Sequence, residues 1–210
     1  MKKLICLIVI LFVTVVSTVA CINYTDITKN KEVWNEVHSS KKVLILLAHP
    51  SIEKSKANSA LVDAVKELPN VRIINLYKEP FLKSTYIEAF RGADIVIFQF
   101  PFYWASAPHM LKKWCDEIFS SIQENPGVKG KRLMITTTTG SAHEAYRSGG
   151  KNHFTIDELL RPYQLLANRS GMIWMTPFVV YGVSLLDAAQ RIEAGAKDYK
   201  EYILNLQTEN

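Results

Sequence analysis

Apolar and polar residues alternate in blocks from Lys41 to the end of the chain. Some blocks are short and continuously apolar, which is typical of strands buried on both faces of a sheet. Others repeat apolar residues at helical spacing. The predicted strands lie at 43–48, 71–76, 95–100, 133–137 and within 172–181, and the predicted helices at 58–68, 111–119, 158–168 and 187–206.

The order of these blocks predicts an α/β fold. Strands joined by helical crossovers form a parallel sheet with helices on both faces. Five such strands within residues 41–210 fit a flavodoxin-like doubly wound five-stranded parallel sheet with strand order 2-1-3-4-5. Ligands of such sheets bind beyond the carboxyl ends of the strands, near the switch point between strands 1 and 3. The segments that follow strands 1, 3 and 4 are therefore where we expect chemistry.

The N-terminal part has a different pattern. Lys2 and Lys3 precede an apolar run from Leu4 to Ile22, and Thr18-Val19-Ala20-Cys21 resembles a bacterial lipobox. An uncleaved anchor is the second interpretation, because a helix of this length reaches about 28 Å, close to a bilayer core. A start codon assigned too far upstream of a cytosolic protein is the third. We divide the chain into a signal peptide or membrane anchor (1–22), a tether (23–40) and a folded domain (41–210).

The charge, the cysteines and the histidines of the chain argue against several classes of protein. The formal charge is +5, from 25 Lys and Arg against 20 Asp and Glu, and no basic run is dense enough for nucleic-acid binding. Cys6 and Cys21 belong to the N-terminal part, so Cys115 is the one thiol of the folded domain and a disulfide framework is excluded. The five histidines lack zinc spacing, and we expect no metal site.

The segment after strand 1 indicates an anion site. Ser55 and Asn58 are hydrogen-bonding residues at a predicted helix start, where free backbone N–H groups and the helix dipole attract phosphate. Ordinary helix capping is the alternative interpretation. No ATP-type phosphate loop and no GxGxxG motif occurs in the chain.

The segments after strands 3 and 4 indicate a ring-binding site. Phe102, Tyr103 and Trp104 are consecutive aromatic residues that a flat ring could stack against, with a small hydrophobic cluster as the alternative. After strand 4, hydroxyl groups and a glycine offer donors to the polar edge of a heterocycle, and Tyr146 and His153 are candidates for proton handling. Together the three segments predict a flavin mononucleotide site.

Four segments of the chain carry a resemblance to a known family: LAHPSIEKSKAN, FQFPFYWASAPHMLKKWCDEIF, GKRLMITTTTGS and PYQLLANRSGMIWMTPFVVYG. They resemble the NAD(P)H dehydrogenase (quinone) family, particularly the short ancillary oxidoreductases of glutathione-gated potassium efflux systems and the modulator of drug activity proteins. The resemblance covers roughly residues 41–201. The motifs are specific in this combination and order.

The resemblance implies a homodimer that binds flavin and transfers a hydride from NADH or NADPH to a quinone in a two-electron, ping-pong cycle. FMN is expected, with FAD as the alternative. Tyr146 and His153 match the family's catalytic positions, although the spacing between them is one residue longer here. The implied cofactor-binding residues are His49, Ser55, Lys56, Ala57, Asn58, Pro101, Phe102, Tyr103, Trp104, Thr138, Thr139, Gly140 and Ser141.

The N-terminal segment is a departure from the short members of the family, which work in the cytosol. We expect a membrane-associated protein whose folded domain faces the cytoplasm, where reduced nicotinamides are found. An exported lipoprotein is one alternative. A non-catalytic regulatory subunit bound to a membrane transport protein and a one-electron flavin carrier are two more.

Overall fold

The computed structural model describes residues 40–209, and the fold below is that of the compact unit that begins at Lys41. The predicted signal peptide or anchor at 1–22 and the tether at 23–40, apart from Ser40, lie outside the described residues. Within residues 40–209 no helix combines the length and the apolar character needed to cross a bilayer.

The sheet is parallel throughout, and its strand order confirms the prediction. The order is β2-β1-β3-β4-β5, with β6 also pairing with β4. Every residue of β1 and β3 is buried, as their continuous apolar runs require. The strands are β1 (Val43–Leu47), β2 (Val71–Asn75), β3 (Ile95–Pro101), β4 (Arg132–Thr139), β5 (Ile173–Trp174) and β6 (Phe178–Tyr181).

The prediction of a single fifth strand within 172–181 is wrong, because two short strands, β5 and β6, take its place. β5 pairs with the first two residues of β4, and β6 pairs with the last four. Pro177, which lies between them, has no backbone N–H to donate to β4. The edge of the sheet is therefore interrupted, and the sheet has six strands rather than five.

Six helical segments surround the sheet. The segment at 83–91 was not predicted, because only Tyr86, Ala89 and Phe90 of its nine residues are buried. The predicted helix at 158–168 is divided in two at Leu160, before Pro162 begins a new first turn. The helices are α1 (Lys56–Val65), α2 (Lys83–Arg91), α3 (His109–Trp114, continued by a π-helical turn at Cys115–Phe119 and by α-helical Ser120–Ile122), α4 (Ile156–Leu159), α5 (Arg161–Arg169) and α6 (Ala188–Thr208). Two short 3₁₀ turns, Ile52–Lys54 and His143–Ala145, lie in the loops after β1 and β4.

The core has two layers, one on each face of the sheet. Along β1, Leu44 and Leu46 belong to the larger layer, which contains Trp114 of α3. Val43 and Ile45 belong to the smaller layer, beneath α1 and α6. This alternation holds the strands in register, and Leu47 of β1 lies beside Gln99 of β3. The loops that follow β1, β3, β4 and β6 consequently meet at the carboxyl edge of the sheet.

Candidate functional site

A cavity of about 490 Å³, here called the first cavity, opens at this carboxyl edge. Its walls come from the loops after β1, β3, β4 and β6 and from the N-terminal ends of α1 and α6. Its volume lies in the range of small-molecule sites. Eleven of the thirteen predicted cofactor-binding residues line it: His49, Ser55, Lys56, Ala57, Asn58, Pro101, Phe102, Tyr103, Trp104, Thr138 and Gly140.

The N-terminal end of α1 gives the first cavity a positive wall. Ser55 adopts an extended conformation and caps the helix, with its hydroxyl accepting a hydrogen bond from the Asn58 backbone N–H at 3.1 Å. Lys54 and Lys56 flank this cap and have no ion-pair partner among the described residues. A helix dipole and two free ammonium groups together favour a bound anion such as phosphate.

Asn58 connects α1 to the sheet and leaves one acceptor unused. Its side-chain N–H donates to the Thr138 hydroxyl at 3.0 Å, and both residues are buried. Its Oδ1 atom is buried and has no partner among residues 40–209. An unsatisfied buried acceptor costs about 1–3 kcal/mol, so a ligand with a hydrogen-bond donor would relieve this penalty.

A buried chain of hydrogen bonds supports Asn58 from below. The Gln99 side-chain N–H donates to the Asn58 carbonyl at 3.3 Å, and the Tyr199 hydroxyl donates to Gln99 Oε1 at 3.4 Å. Gln99 and Tyr199 are both fully buried. β3 and α6 therefore hold the first turn of α1 in place, which gives the positive wall a fixed position.

His49 is a neutral hydrogen-bonding residue in the first cavity. Its Nδ1 atom accepts the Ser51 backbone N–H at 3.1 Å, which leaves the proton of a neutral ring on Nε2. Burial lowers the pKa of His49, and the opposing effect of the Glu53 carboxylate is smaller. The ring is therefore uncharged at neutral pH, and Nε2 can donate a hydrogen bond.

The loop after β3 forms a strained aromatic wall. Tyr103 and Ser106 exchange two backbone hydrogen bonds, of 2.8 and 3.0 Å, which close a tight turn around Trp104 and Ala105. These two corner residues have φ angles of 48° and 63°, a conformation that costs roughly 1–2 kcal/mol per non-glycine residue. Trp104 is fully exposed. Strain and exposure of this kind concentrate at functional sites.

Two predicted cofactor-binding residues do not line the first cavity. Thr139 is fully buried, and its hydroxyl donates to the Ser141 carbonyl at 2.9 Å. The side chains of a strand alternate in direction, so Thr138 reaches the cavity and Thr139 points away from it. The Ser141 carbonyl also accepts the Gly182 N–H, which makes Thr139 and Ser141 supports of the loop rather than lining residues.

Four lining residues were missed from the sequence. Lys54 carries no motif of its own, and Val183, Ser184 and Ile192 come from the chain after β6. A Cβ atom added to Gly140 would lie 3.0 Å from the Ser184 hydroxyl, so the glycine permits this close approach. The pairing of β6 with β4 brings this segment to the site, and the Val183 N–H continues it by donating to the Thr139 carbonyl.

A second cavity of about 370 Å³ adjoins the first, and Phe102 and Trp104 belong to both. Tyr146 lines it and packs edge-on against Phe102 at a ring distance of 6.2 Å. The Tyr146 hydroxyl has no hydrogen-bond partner among the described residues. The other lining residues are Ala105, Asn152, Phe154 and Leu159.

The structure does not bring His153 to Tyr146. His153 is exposed, has a φ of 60° and lines neither cavity. Its backbone N–H donates to the Gly150 carbonyl at 2.9 Å, which turns the chain so that Asn152 faces the second cavity instead. His153 thus lies outside both cavities in this structure, and a catalytic role for it stays a prediction.

A larger groove of about 640 Å³ lies between α3 and α5 and includes Ser106 of the loop after β3. It contains Cys115, and burial raises the pKa of this thiol to about 12. A protonated thiol is a poor nucleophile. The groove is thus a less suitable place for catalysis than the carboxyl edge of the sheet, despite its size.

Comparison with known proteins agrees with the fold. The family model Flavodoxin_2, described as a flavodoxin-like fold, matches residues 41–203. General stress protein 14 of Bacillus subtilis is 38% identical over 170 residues, which cover 77% of this chain and 97% of that protein. The glutathione-regulated potassium-efflux system ancillary protein KefG of Cronobacter sakazakii is 37% identical over 148 residues, 67% of this chain and 80% of KefG.

Two solved structures extend the comparison. General stress protein 14 of Treponema denticola, crystallised in complex with FMN, has a TM-score of 0.72 and 28% identity over 79% of this chain and 99% of that one. An NADPH-quinone reductase of P. pentosaceus has a TM-score of 0.69 and 29% identity over 78% of this chain and 98% of that one. With its sheet order, its site and these relatives, the chain belongs to the flavodoxin-like family that the Flavodoxin_2 model describes.

Proposed function

We propose that this protein is a flavin-dependent NAD(P)H:quinone oxidoreductase with FMN as its cofactor. The observation that carries the proposal is the first cavity, in which a capped helix N-terminus, two unpaired lysines and an unsatisfied Asn58 oxygen lie beside an aromatic wall. The helix N-terminus and the lysines match the phosphate of FMN, the Asn58 oxygen matches its hydroxylated chain, and the aromatic wall matches its flat ring. The FMN complex of the Treponema denticola relative supports the choice of FMN.

The residues divide by the part of FMN that each would hold. Ser55, Lys54 and Lys56 would hold the phosphate through backbone N–H groups and positive charge. Asn58 would accept a hydrogen bond from a hydroxyl group, since its buried Oδ1 has no other donor among residues 40–209. The aromatic wall, with Trp104 fully exposed at its tip, would lie against the ring.

The bound flavin would supply the redox chemistry, which is a two-electron, ping-pong transfer from NAD(P)H to a quinone. Overall, NAD(P)H and one proton convert a quinone to a hydroquinone and NAD(P)⁺. The second cavity is lined mainly by apolar side chains, which would cover part of the ring that enters it. The Tyr146 hydroxyl would donate a hydrogen bond to the oxygen on which negative charge develops.

A second function is favoured by one relative. KefG is an ancillary protein of a potassium-efflux system, and it is 37% identical to this chain. We propose a membrane transport protein as a partner of the folded domain, in addition to the quinone acceptor. Two alternatives to the enzyme differ from it in a testable way. A purely regulatory, non-catalytic subunit would bind the same transport protein without using the second cavity. A one-electron flavin carrier would not turn over by two-electron transfer.

We also propose a homodimer tethered to the membrane, with the folded domain facing the cytoplasm. The groove between α3 and α5 is lined by the exposed Leu165 and by the Lys112–Asp116 ion pair. Such a mixed surface suits a two-fold contact between identical chains. The membrane proposal rests on the apolar run of Leu4–Ile22 and on the cytoplasmic supply of NAD(P)H.

An absorption spectrum of the purified full-length protein tests the proposed function. We expect oxidised flavin bands that bleach on anaerobic addition of NADPH and return when a quinone is added. A protein that is colourless and cannot be reconstituted with FMN or FAD would contradict the enzyme proposal and favour the partner-binding alternative. Bleaching through a stable one-electron state would instead favour a carrier.

A further inference from the structure

The amino edge of the sheet, where the strands begin, lies opposite the two cavities and is joined by backbone hydrogen bonds. The Asp94 N–H donates to the Lys42 carbonyl at 2.8 Å, and the Arg132 N–H donates to the Asp94 carbonyl at 3.1 Å. The Ile173 N–H continues the series by donating to the Lys131 carbonyl at 2.8 Å. The starts of β1, β3, β4 and β5 therefore lie side by side on one face of the domain.

Exposed or half-exposed basic side chains collect at this edge. Lys42 and Arg72 line one small cavity of about 220 Å³ together with Gly92, and a Cβ atom added to Gly171 would lie 3.1 Å from the Lys129 side chain. Six basic residues of this edge have no ion-pair partner within residues 40–209. This set, here called the basic face, is Lys42, Arg72, Arg91, Lys129, Lys131 and Arg169.

The acidic residues of the amino edge offset only part of this charge. The Asp94 carboxylate accepts a backbone N–H at 2.8 Å, and Glu209 pairs with Arg132 at 3.0 Å. Glu67 and Glu124 are exposed nearby in the chain segments before β2 and β4. The rest of the folded domain has nearly equal numbers of basic and acidic residues. Its excess positive charge is therefore concentrated at the amino edge.

Stabilisation of helix ends accounts for only part of the basic face. Arg91 and Arg169 lie in the last turns of α2 and α5, where a cation stabilises the negative end of the helix dipole. Lys42, Lys129 and Lys131 belong to no helix and lie in the segments that lead into β1 and β4. Their charge has no counterpart in the part of the chain that the structure describes, so it is available to an external anionic surface.

The chain enters the folded domain at the same edge. The Lys41 backbone N–H donates to the Gln207 carbonyl at 2.9 Å, which fixes the entry point beside the C-terminal end of α6. The tether at 23–40 connects this point to the apolar run of Leu4–Ile22. A segment of that length spans at most about 60 Å, so an anchored run would keep the amino edge within that distance of the bilayer.

We propose that the basic face docks on the surface of a bilayer that contains anionic lipids, and so sets the orientation of the folded domain at the membrane. The inference rests on the membrane tether proposed above and not on the redox activity. Each Lys or Arg near an anionic membrane surface strengthens binding about fivefold. Both cavities would then open toward water, about 25 Å from the lipid, because the eight residues of β4 run from the basic face to the first cavity.

The test is hydrogen–deuterium exchange, measured by mass spectrometry on the full-length protein in lipid nanodiscs. One bilayer contains only phosphatidylcholine, and the other also contains the anionic phosphatidylglycerol. The double variant Lys129→Gln/Lys131→Gln removes two charges of the basic face. Lys197→Gln/Lys200→Gln is the matched control, because it removes the same charge from exposed residues in the middle of α6.

We expect the amides of residues 123–132 to exchange several-fold more slowly on the anionic bilayer than on the neutral one. The Lys129/Lys131 variant should lose this protection, since the removal of two charges weakens docking roughly 25-fold. The control variant should keep it. The loop at 143–153, at the opposite edge, should exchange equally on both bilayers, and added salt should reduce the protection of 123–132.

Equal exchange of 123–132 on the two bilayers would overturn the inference and leave an acidic protein partner as the occupant of the basic face. Protection of 143–153 instead would also overturn it, as would an equal loss of protection in the control variant. Association of the protein with neither nanodisc would contradict the tether, and the inference with it. The proposed enzyme is tested separately by the flavin spectrum, which none of these results changes.

Discussion

The two cavities share Phe102 and Trp104 but are built in different ways. The first lies on strand ends and a capped helix, where Asn58, Gln99 and Tyr199 form a buried chain of hydrogen bonds. The second depends on the loop after β4, which reaches its shape through left-handed residues such as Gly149 and His153. A rigid, polar site suits a cofactor that stays bound, and an apolar loop-built site suits substrates that exchange.

Among the variants that test this difference between the two cavities, Asn58→Leu should have the largest effect, which is on FMN affinity. The change removes the hydrogen bond to Thr138 and the free acceptor of the first cavity. We expect FMN affinity to fall about 30- to 100-fold, from the loss of about 2–3 kcal/mol of polar contacts. Quenching of FMN fluorescence measures the dissociation constant.

Ser59→Ala is the control for Asn58→Leu, because Ser59 does not line the first cavity and its hydroxyl bonds only to backbone carbonyls, those of Ser55 and Lys56. Its FMN affinity should equal that of the wild type. If Asn58→Leu bound FMN as tightly as the control does, the first cavity would not be the cofactor site.

Tyr146→Phe should have the opposite profile, with a loss of turnover and little change in FMN binding. Its hydroxyl lies on the second cavity, and its ring would still pack against Phe102 and Tyr181. We expect the kcat for naphthoquinone reduction to fall about tenfold or more. Steady-state kinetics on fully FMN-loaded protein measure it, and an unchanged kcat would remove Tyr146 from the mechanism.

Lys56→Gln should weaken binding of the FMN phosphate without changing binding of the rest of FMN. We expect the FMN dissociation constant to rise about three- to tenfold while riboflavin, which lacks the phosphate, binds as before. Lys66→Gln is the control, since Lys66 lies beyond the other end of α1 and pairs with Asp63. An equal loss for both ligands would show that Lys56 does not contact the phosphate.

The smallest expected effect concerns His49 and pH. Burial lowers the pKa of His49 in the folded protein, so the unfolded chain binds its proton more tightly. The free energy of unfolding should therefore decrease as the pH falls below about 6.5, and His49→Asn should reduce this decrease. Urea denaturation of the flavin-free protein at pH 7.5 and 5.5 measures both. Identical pH profiles for the variant and the wild type would contradict the assignment.

Much of the fold could be predicted because it depends on local patterns. Continuous apolar runs such as those of β1 and β3 can be stable only when both faces are covered, which requires a parallel sheet between helices. The strand ends then indicate where a ligand binds. This rule alone was enough to find the aromatic wall and the N-terminal end of α1.

The parts that could not be predicted depend on contacts between distant segments. α2 is mostly polar and is held by the three side chains that it buries, and β5 and β6 are separate because each pairs with a different part of β4. Ser184 and Ile192 line the first cavity, and they follow β6, which pairs with the distant β4. No local pattern encodes such contacts.

The strand order and most of the lining of the first cavity follow from local properties of the chain, namely hydrophobic periodicity and the positions of strand ends. Which of two neighbouring residues faces the site depends instead on how the folded backbone runs. Thr138 rather than Thr139 reaches the first cavity through the alternation of β4, and Asn152 rather than His153 reaches the second through the closure of one loop. A shift of one residue reverses the direction of a side chain, and only the backbone path, set by hydrogen bonds between loops, decides that direction.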